Sequence, residues 1–560
     1  MPQWQPPRAV EIDKKLRDDF RRMLREYGIT TQETDPILAV LFRSFAAQLE
    51  SVYREAGESI PLAVLDELMS GLGMPQRCAR PAQTVVHLAE LEERVRLEDG
   101  TQLIGQLESR EKLTFALDTA IEVSPARISF VAIYQNASLR LHHGTELAKE
   151  LEAARPSFEA VPAQLGPNNA IFIAIDVADA RHLSNHGLYF ELTPESKDVL
   201  TYLQREIWCL LDDLGEIKPQ GMFRPRQGNA GVNKLEWLQA EHAPPSNGHL
   251  LPAGFYGNHV FIFPEIPPQR SFLSDIPKPM VAPLKRIFEA GGQDVLSQRR
   301  AWLRIGMPRE VTTLSEDIVR IVLHCATASN VEVLNETINF SKAGTAIPFG
   351  NGGSRARYLV APLSIKGERG GEYLHESIPT ATEQTGRFRF RRDRLEIEPA
   401  QTIRGVADGY ANVRLLLSNG ALANGVNAGS VSTFTKRIAN RELELNNLTV
   451  AAGGTDGESF AAATQRFAEL LLSRERITTH ADLEANVKTF EPKVRRVSSQ
   501  ATLERQPEGL RRVQKVTAKL SRASFMAPDE EARILQYELE AHLQERALLG
   551  LDIRVAVEWE

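Results

Sequence analysis

The residues in this chain that could do chemistry are few and poorly spaced for it. His142-His143 lie beside Gly144-Thr145 with no third ligand at a useful distance. His182 and His186 are four apart but lack the glutamate of an H-E-x-x-H zinc helix. All of these read as loop histidines open to solvent. Cys78, Cys209 and Cys325 are too few and too scattered for a disulfide framework or a zinc ribbon, and none sits in a nucleophile signature. No G-x-S-x-G is present. Gly350-Asn351-Gly352-Gly353-Ser354 lacks the Lys-Ser/Thr of a phosphate-binding loop. Asp212-Asp213 and Glu316-Asp317 are adjacent, so in an extended segment each pair points to opposite faces. A glycosidase-like carboxylate pair drawn from separate elements stays open. Catalytic, cofactor-binding and metal residues are therefore read as none, and no enzyme activity is expected.

The most basic stretch is Arg387-Phe388-Arg389-Phe390-Arg391-Arg392. On a strand, Arg387, Arg389 and Arg391 share one face and the two phenylalanines the other. That is ordinary half-buried strand patterning; a surface for an acidic partner is the sharper alternative. The net charge of −7 gives no electrostatic case for nucleic acid.

The elements around these residues indicate an α+β multidomain chain: an N-terminal helical segment, β-rich sandwich-like middle domains and a small C-terminal α+β domain. At 560 residues there is length for several cores. Five ranges are expected: N-terminal helices over 1–78, a β-rich domain with a helical insertion over 79–214, a loop-rich segment over 215–298, a β-sandwich-like domain over 299–451, and the α+β domain over 452–560. In the first range Ile12, Leu16, Phe20, Leu24 and Tyr27 form one narrow stripe on a highly charged helix, which suits a bundle with other chains as well as packing within its own domain. Asp35-Pro36 starts a second helix carrying Phe42 and Phe45. Strands are expected at 85–91, 128–134, 170–177, 188–192, 302–306, 319–326 and 410–417, and helices at 146–154 and 196–214. Weak strands are expected at 494–498 and 510–519. Pro528 opens a helix, and the alternation of Ile553, Val555, Val557 and Trp559 marks a last strand. There is no run of eighteen apolar residues and no secretory leader pattern, so no membrane span is expected.

One stretch organises the rest. Gly453-Gly454-Thr455-Asp456-Gly457-Glu458 reads as a loop whose glycines admit positive φ before a helix beginning at Phe460. A polar corner at 473–476 follows. Thr479, with Asp482 three residues on, has capping-box spacing and starts a second helix. This run resembles the baseplate J-like family, whose members carry G-G-x-D-G-E before a helix and then an R-x-x-T-x-x-D-[YL]-E corner, here Arg476, Thr479, Asp482, Leu483 and Glu484. The pattern concerns packing and capping and contains no chemistry. The N-terminal third adds a resemblance to the TssF family of type VI secretion baseplates: Asp35-Pro36, Phe45-Ala46, Ile60-Pro61, then Arg80-Pro81 before the first strand. Phe115-Ala116 departs from that family's Phe-Arg-Thr, and the middle of the chain matches by order and length alone.

The resemblance implies a structural wedge subunit of a contractile injection system, such as a type VI system, a phage tail or an extracellular relative. It implies assembly from the bacterial cytoplasm with a second copy of itself, a smaller TssG-like wedge chain, the spike or hub, and sheath-initiating baseplate proteins of lysozyme-like fold. Leu16, Phe20, Leu24, Tyr27, Phe42 and Phe45 are then the candidate partner-binding residues. Gly453, Gly454, Asp456, Gly457, Glu458, Arg476, Thr479 and Asp482 are the structural motif. No cofactor is expected. The alternative from another class is a carbohydrate-binding or carbohydrate-active protein of a phage particle, which would need a cleft lined by aromatic or carboxylate side chains.

Overall fold

The computed structural model describes residues 8–26, 39–51, 77–143, 157–158, 169–227, 255–281, 298–348, 357–436, 443–467, 477–506 and 509–560, apart from 90, 137, 194–195, 213, 267–271, 278–279, 310, 312, 341–344, 377–383, 392–393, 402–406, 461, 465, 478 and 548–551. The architecture is α+β and multidomain. The chain divides into two compact units, Met1–Pro75 and Gln76–Glu560.

In the first unit, the described residues form the helix Ala9–Glu26 and a second helix over 39–51. The charged faces of the first helix hold local ion pairs, such as Arg17 Nε to Asp13 at 3.0 Å. Ile12 and Ala46 are buried, and the rings of Phe20 and Phe42 meet edge to face at 5.3 Å.

The second unit is built from sheets whose strands come from distant parts of the sequence. The largest, of eight strands, includes in order Ile217–Phe223, Trp208–Leu211, Arg300–Met307, Asn169–Asp176 and Arg127–Gln135. Its central strand Asn169–Asp176 reads almost continuously apolar because both faces are covered. Ile171, Ile173 and Ile175 enter one core with Trp208, Leu303 and Phe190, while Ala170, Phe172 and Ala174 enter another with Trp302 and Met280.

A six-stranded sheet runs Val431–Phe434, Gln102–Gln106, Lys112–Leu117, Cys325–Ser329, Gln83–Leu88, Leu445–Asn447. A four-stranded sheet runs Arg226–Gln227, Val260–Ile262, Gly187–Leu192, Ile318–Leu323. Strands from the sequence ranges 79–214 and 299–451 thus share sheets. Two smaller sheets, one holding Glu332–Asn339, Tyr410–Ser418 and Tyr358–Gly367 and the other built on Arg387–Arg391 and Arg394–Glu398, enclose a separate core around Tyr373, Phe388 and Val413.

The C-terminal part is a long hairpin, Val494–Gln506 with Gly509–Leu520, whose second strand pairs in parallel with Asp552–Trp559. A parallel neighbour needs a crossover, and the helix Pro528–Arg546 provides it. Leu535, Leu539 and Leu543 from that helix, Leu483 and Val487 from the helix His480–Phe490, and Ile553 and Val555 from the last strand fill one core.

Four differences from the sequence reading have local causes. The helix expected over 196–214 stops at Arg205, because Trp208–Leu211 is drawn into the eight-stranded sheet. The single strand expected over 319–326 is two strands, broken where His324 takes φ +60°. The weak strands near 494 and 510 are long because they pair with each other along their whole length. The segment over 215–298 contains strands that complete two sheets, notably Ile217–Phe223 and Val260–Ile262. The helix expected over 146–154 and the loop 350–354 lie outside the described residues.

The break at His324 depends on a close approach. A Cβ on Gly187 would lie 1.7 Å from the carbonyl oxygen of Cys325, an atom fixed by the sheet, so only glycine fits there. Gly187→Ala is expected to cost about 3 kcal/mol or more, because the backbone oxygen cannot move aside without breaking strand pairing; urea denaturation followed by circular dichroism measures this.

Candidate functional site

The stretch 452–458 folds as a buckle that joins three distant segments. Gly453 takes φ +81°, a conformation that favours glycine. Gly454 is packed so closely that a Cβ would lie 2.6 Å from the Gly420 carbonyl oxygen and 2.9 Å from the Ala82 methyl. The Asn424 amide grips this residue with both ends: its Oδ1 accepts from the Gly454 N–H at 2.8 Å and its Nδ2 donates to the Gly454 carbonyl at 3.0 Å. The same Nδ2 donates to Glu531 Oε2 at 3.0 Å. The other oxygen of Glu531 accepts from the Met526 and Ala527 N–H groups, which caps the start of the C-terminal helix. Burial raises the Glu531 pKa, and the hydrogen bonds from Ala527, Met526 and Asn424 oppose that shift.

On the other side, Thr455 and Arg80 exchange two backbone hydrogen bonds of 3.0 Å, and Gln83 pairs with Ala452. Asp456 Oδ1 accepts from the Ala421 N–H at 2.9 Å. Glu458 accepts from the Arg77 N–H at 3.0 Å and takes a two-pronged contact from the buried Arg466 at 2.8 and 2.9 Å. Burial and the Arg466 charge push the Arg77 guanidinium down to about 10, with Glu458 acting in the opposite sense. Arg80 also reaches Glu538 on the C-terminal helix at 2.8 Å.

The motif residues therefore act structurally, with some differences from the reading of the sequence. Only Gly453 of the three loop glycines has positive φ. Gly454 is required for close packing, and Gly457 has ordinary space around its missing Cβ. Thr479 and Asp482 form a complete capping box: the Thr479 hydroxyl accepts from the Asp482 N–H at 3.1 Å and the Asp482 carboxylate accepts from the Thr479 N–H at 2.8 Å. Leu483 is buried in the C-terminal core. Arg476 and the polar corner lie outside the described residues.

Among the partner-binding candidates, Leu16 and Phe20 are half-buried, Phe20 against Phe42. Leu24 lies in the helix Ala9–Glu26, and Tyr27 lies outside the described residues. Phe45 is 51% exposed, beside Leu41 at 57% and Val40 at 66%. The second helix thus carries one broad apolar stripe, with Ala46 buried, Phe42 and Leu49 half-buried, and Leu41 and Phe45 open to solvent along its margin.

Several of the groups weighed for chemistry are held by structural bonds, while the buried His142 Nε2 has no hydrogen-bond partner. His142 and His186 are buried, contrary to the expectation of solvated loops, because strand pairing places neighbours over them. Asp212 accepts from the Leu214 and Glu216 N–H groups and so closes a turn. Asp317 is held by Ser196 and Thr313 hydroxyls at 3.0 and 2.8 Å. Arg387 pairs with Glu398, and Arg389 with Glu396 and Glu376, so the basic face is answered within its own sheet, while Phe388 is buried. Among the described residues, no three His, Cys, Asp or Glu side chains come together to hold a metal. Trp208 and Trp302 are wholly buried and cannot stack on a sugar. No described helix is long and apolar enough to cross a membrane.

Asn424, Arg466 and Arg77 were not singled out from the sequence, and Glu531 was read only as a first-turn acid of the helix opened by Pro528. The Asn424–Glu531 contact spans 107 positions, and no local pattern encodes it.

No protein-family model matches the chain, and no curated protein matches it. Solved structures that resemble it include a chain of the type VI secretion system TssK-TssF-TssG baseplate subcomplex, at 12% identity over 93% of this chain and 96% of that one, with a TM-score of 0.42. A chain of the baseplate complex from the type VI secretion system is similar at 13% identity over 97% and 96%, TM-score 0.41. A chain of the anti-feeding prophage baseplate is similar at 10% identity over 96% and 70%, TM-score 0.30.

Two substitutions test the buckle. Asn424→Ala strands the Gly454 amide and the Glu531 carboxylate in the interior and is expected to destabilise the second unit by about 3 kcal/mol. Thr479→Ala removes only a cap and is expected to cost about 1 kcal/mol. Chemical denaturation of the two variants side by side should reproduce this order.

Proposed function

We propose that this chain is a non-enzymatic, TssF-like wedge subunit of a contractile injection baseplate. It assembles with a second copy of itself and one smaller TssG-like chain, around a spike or hub and against sheath-initiating proteins. In this reading the particle is built from the bacterial cytoplasm. The subunit's work is mechanical: it holds its place in a ring until a rearrangement releases sheath contraction.

One observation carries the reading. The stretches on which the resemblance rests, Arg80-Pro81 near the start and Gly453 to Glu458 near the end, are hydrogen-bonded to each other through Arg80–Thr455 and Arg77–Glu458. Residues that looked like two separate family marks form one structural joint, held by backbone pairing and by carboxylates that bind backbone N–H groups. A second feature agrees. The helix over 39–51 keeps the margin of its apolar stripe open, as expected of an obligate subunit whose helices bundle with other chains.

The test is co-expression with the smaller gene products encoded beside it, followed by light scattering of the purified species. A complex of two copies with one smaller chain is expected. It should be lost in Leu41→Ser/Phe45→Ser, two exposed positions whose replacement leaves the chain folded by circular dichroism. A well-behaved monomer that ignores those neighbours would overturn the reading.

A further inference from the structure

The four-stranded and six-stranded sheets of the second unit part company at one point, where two histidines face each other. Ile318–Leu323 pairs with Gly187–Leu192 in the first sheet, and Cys325–Ser329 pairs with Gln83–Leu88 in the second. His324 is the left-handed residue between them, and His186 immediately precedes Gly187, whose backbone touches Cys325. Their rings are 5.1 Å apart, with the side chains 0% and 3% exposed for His186 and His324.

We propose that the His186–His324 pair is an acid-sensitive latch at this crossing, closed while both imidazoles are neutral and opened by their protonation. The hydrogen bonds favour the neutral form at His324, whereas at His186, where the Ser124 hydroxyl can donate or accept, burial and the neighbouring ring disfavour the charged form. His186 Nδ1–H donates to the Ser184 carbonyl at 3.0 Å, which leaves Nε2 to accept from the Ser124 hydroxyl at 2.8 Å. His324 Nε2–H donates to the Ala126 carbonyl at 2.7 Å, and its Nδ1 has no partner. A proton added to His324 Nδ1 would therefore be a buried donor with nothing to accept it, beside a second ring of the same kind.

The charged groups around the pair do not compensate. On the His186 side lie Arg94, His182 and Glu122. Glu122 is engaged by Arg94 and by Asn185 Nδ2, while Arg226 donates to the Asn185 side-chain oxygen. On the His324 side lie His87, opposite Cys325 in the register, and Arg320, which is paired with Glu191 at 2.7 Å. Among the described residues, no carboxylate hydrogen-bonds either ring. Burial pushes His186 down to about 4 and His324 to about 3; nearby Arg94 and His182 add to the first shift, and His186 itself adds to the second.

Both folded values lie below the ordinary imidazole value of 6.5. The latch is thus fully closed above the unfolded value, and its contribution is lost as pH falls through 6.5 towards 4. Opening takes up two protons, so the opening constant should rise about 100-fold per pH unit across that window, about 10-fold for each ring.

Amide hydrogen exchange of the full chain at several pH values between 7 and 4.5, corrected for intrinsic exchange, reads this in peptides covering 187–192 and 325–329. The comparison is His186→Gln/His324→Asn, in which asparagine tolerates the positive φ. Wild type is expected to lose protection with the two-proton steepness, and the variant to lack that component. Equal steepness in both overturns the latch. Should the variant fail to fold, exchange of the imidazole C2–H in wild type decides the matter. Both rings titrating below about pH 5 supports the proposal, and either ring titrating near 6.5 in the folded chain removes it.

Discussion

Asn424 binds the backbone of Gly454 with both ends of its amide and reaches Glu531 with the same nitrogen. Through this one side chain a loop near residue 454, the turn after the strand Tyr410–Ser418 and the first turn of the C-terminal helix are fixed together. The bonds are buried, so none can be exchanged for water without leaving an orphaned polar group. The carboxylate of Glu531 makes the joint directional. One oxygen faces the Asn424 amide and the other holds the N–H groups of Met526 and Ala527, so helix start and loop position are set by a single residue. The six-stranded sheet, which needs Gln83 beside Ala452 and Arg80 beside Thr455, inherits its alignment from the same buckle.

Much of the polar chemistry in this chain goes into holding its own fold. Several of its carboxylates brace neighbouring segments: Glu458 holds the Arg77 N–H and the Arg466 guanidinium, Asp212 closes a turn, and Asp317 takes two hydroxyls at a helix–strand corner. The buried imidazoles likewise hold carbonyls, His186 that of Ser184 and His259 that of Phe190. Cys325 is buried, and burial pushes its thiol well above the ordinary cysteine range, which keeps it protonated and inert. The open surface that stands out is apolar and helical, on the second helix of the first unit, where the exposed Leu41 and Phe45 border the half-buried Phe42 and the buried Ala46.

Much of this was legible in the sequence. β-branched and aromatic enrichment found the strands Arg127–Gln135, Asn169–Asp176, Gly187–Leu192 and Tyr410–Ser418, and period-two alternation found Asp552–Trp559, because these preferences are local to the strand. The capping box at Thr479 and the helix opened by Pro528 were equally local, since a cap is made within four residues. The alternation of Arg and Phe over 387–391 also meant what it suggested, although the acids that answer those arginines come from Glu376, Glu396 and Glu398.

Contacts of long sequence separation were decided only by the tertiary structure. Trp208–Leu211 reads as the end of a helix until Arg300–Met307 offers it an edge. Residues 319–326 read as one strand, yet two sheets claim its halves and His324 takes the strain between them. His186 and His142 look solvated from composition, because burial is a property of the neighbours and not of the residue. The sequence by itself determined which segments are helix or strand and where they are capped, since those preferences act over a few residues. The meeting of Arg80 with Thr455, Asn424 with Glu531 and His186 with His324 was settled by packing across more than a hundred positions, where no spacing rule operates.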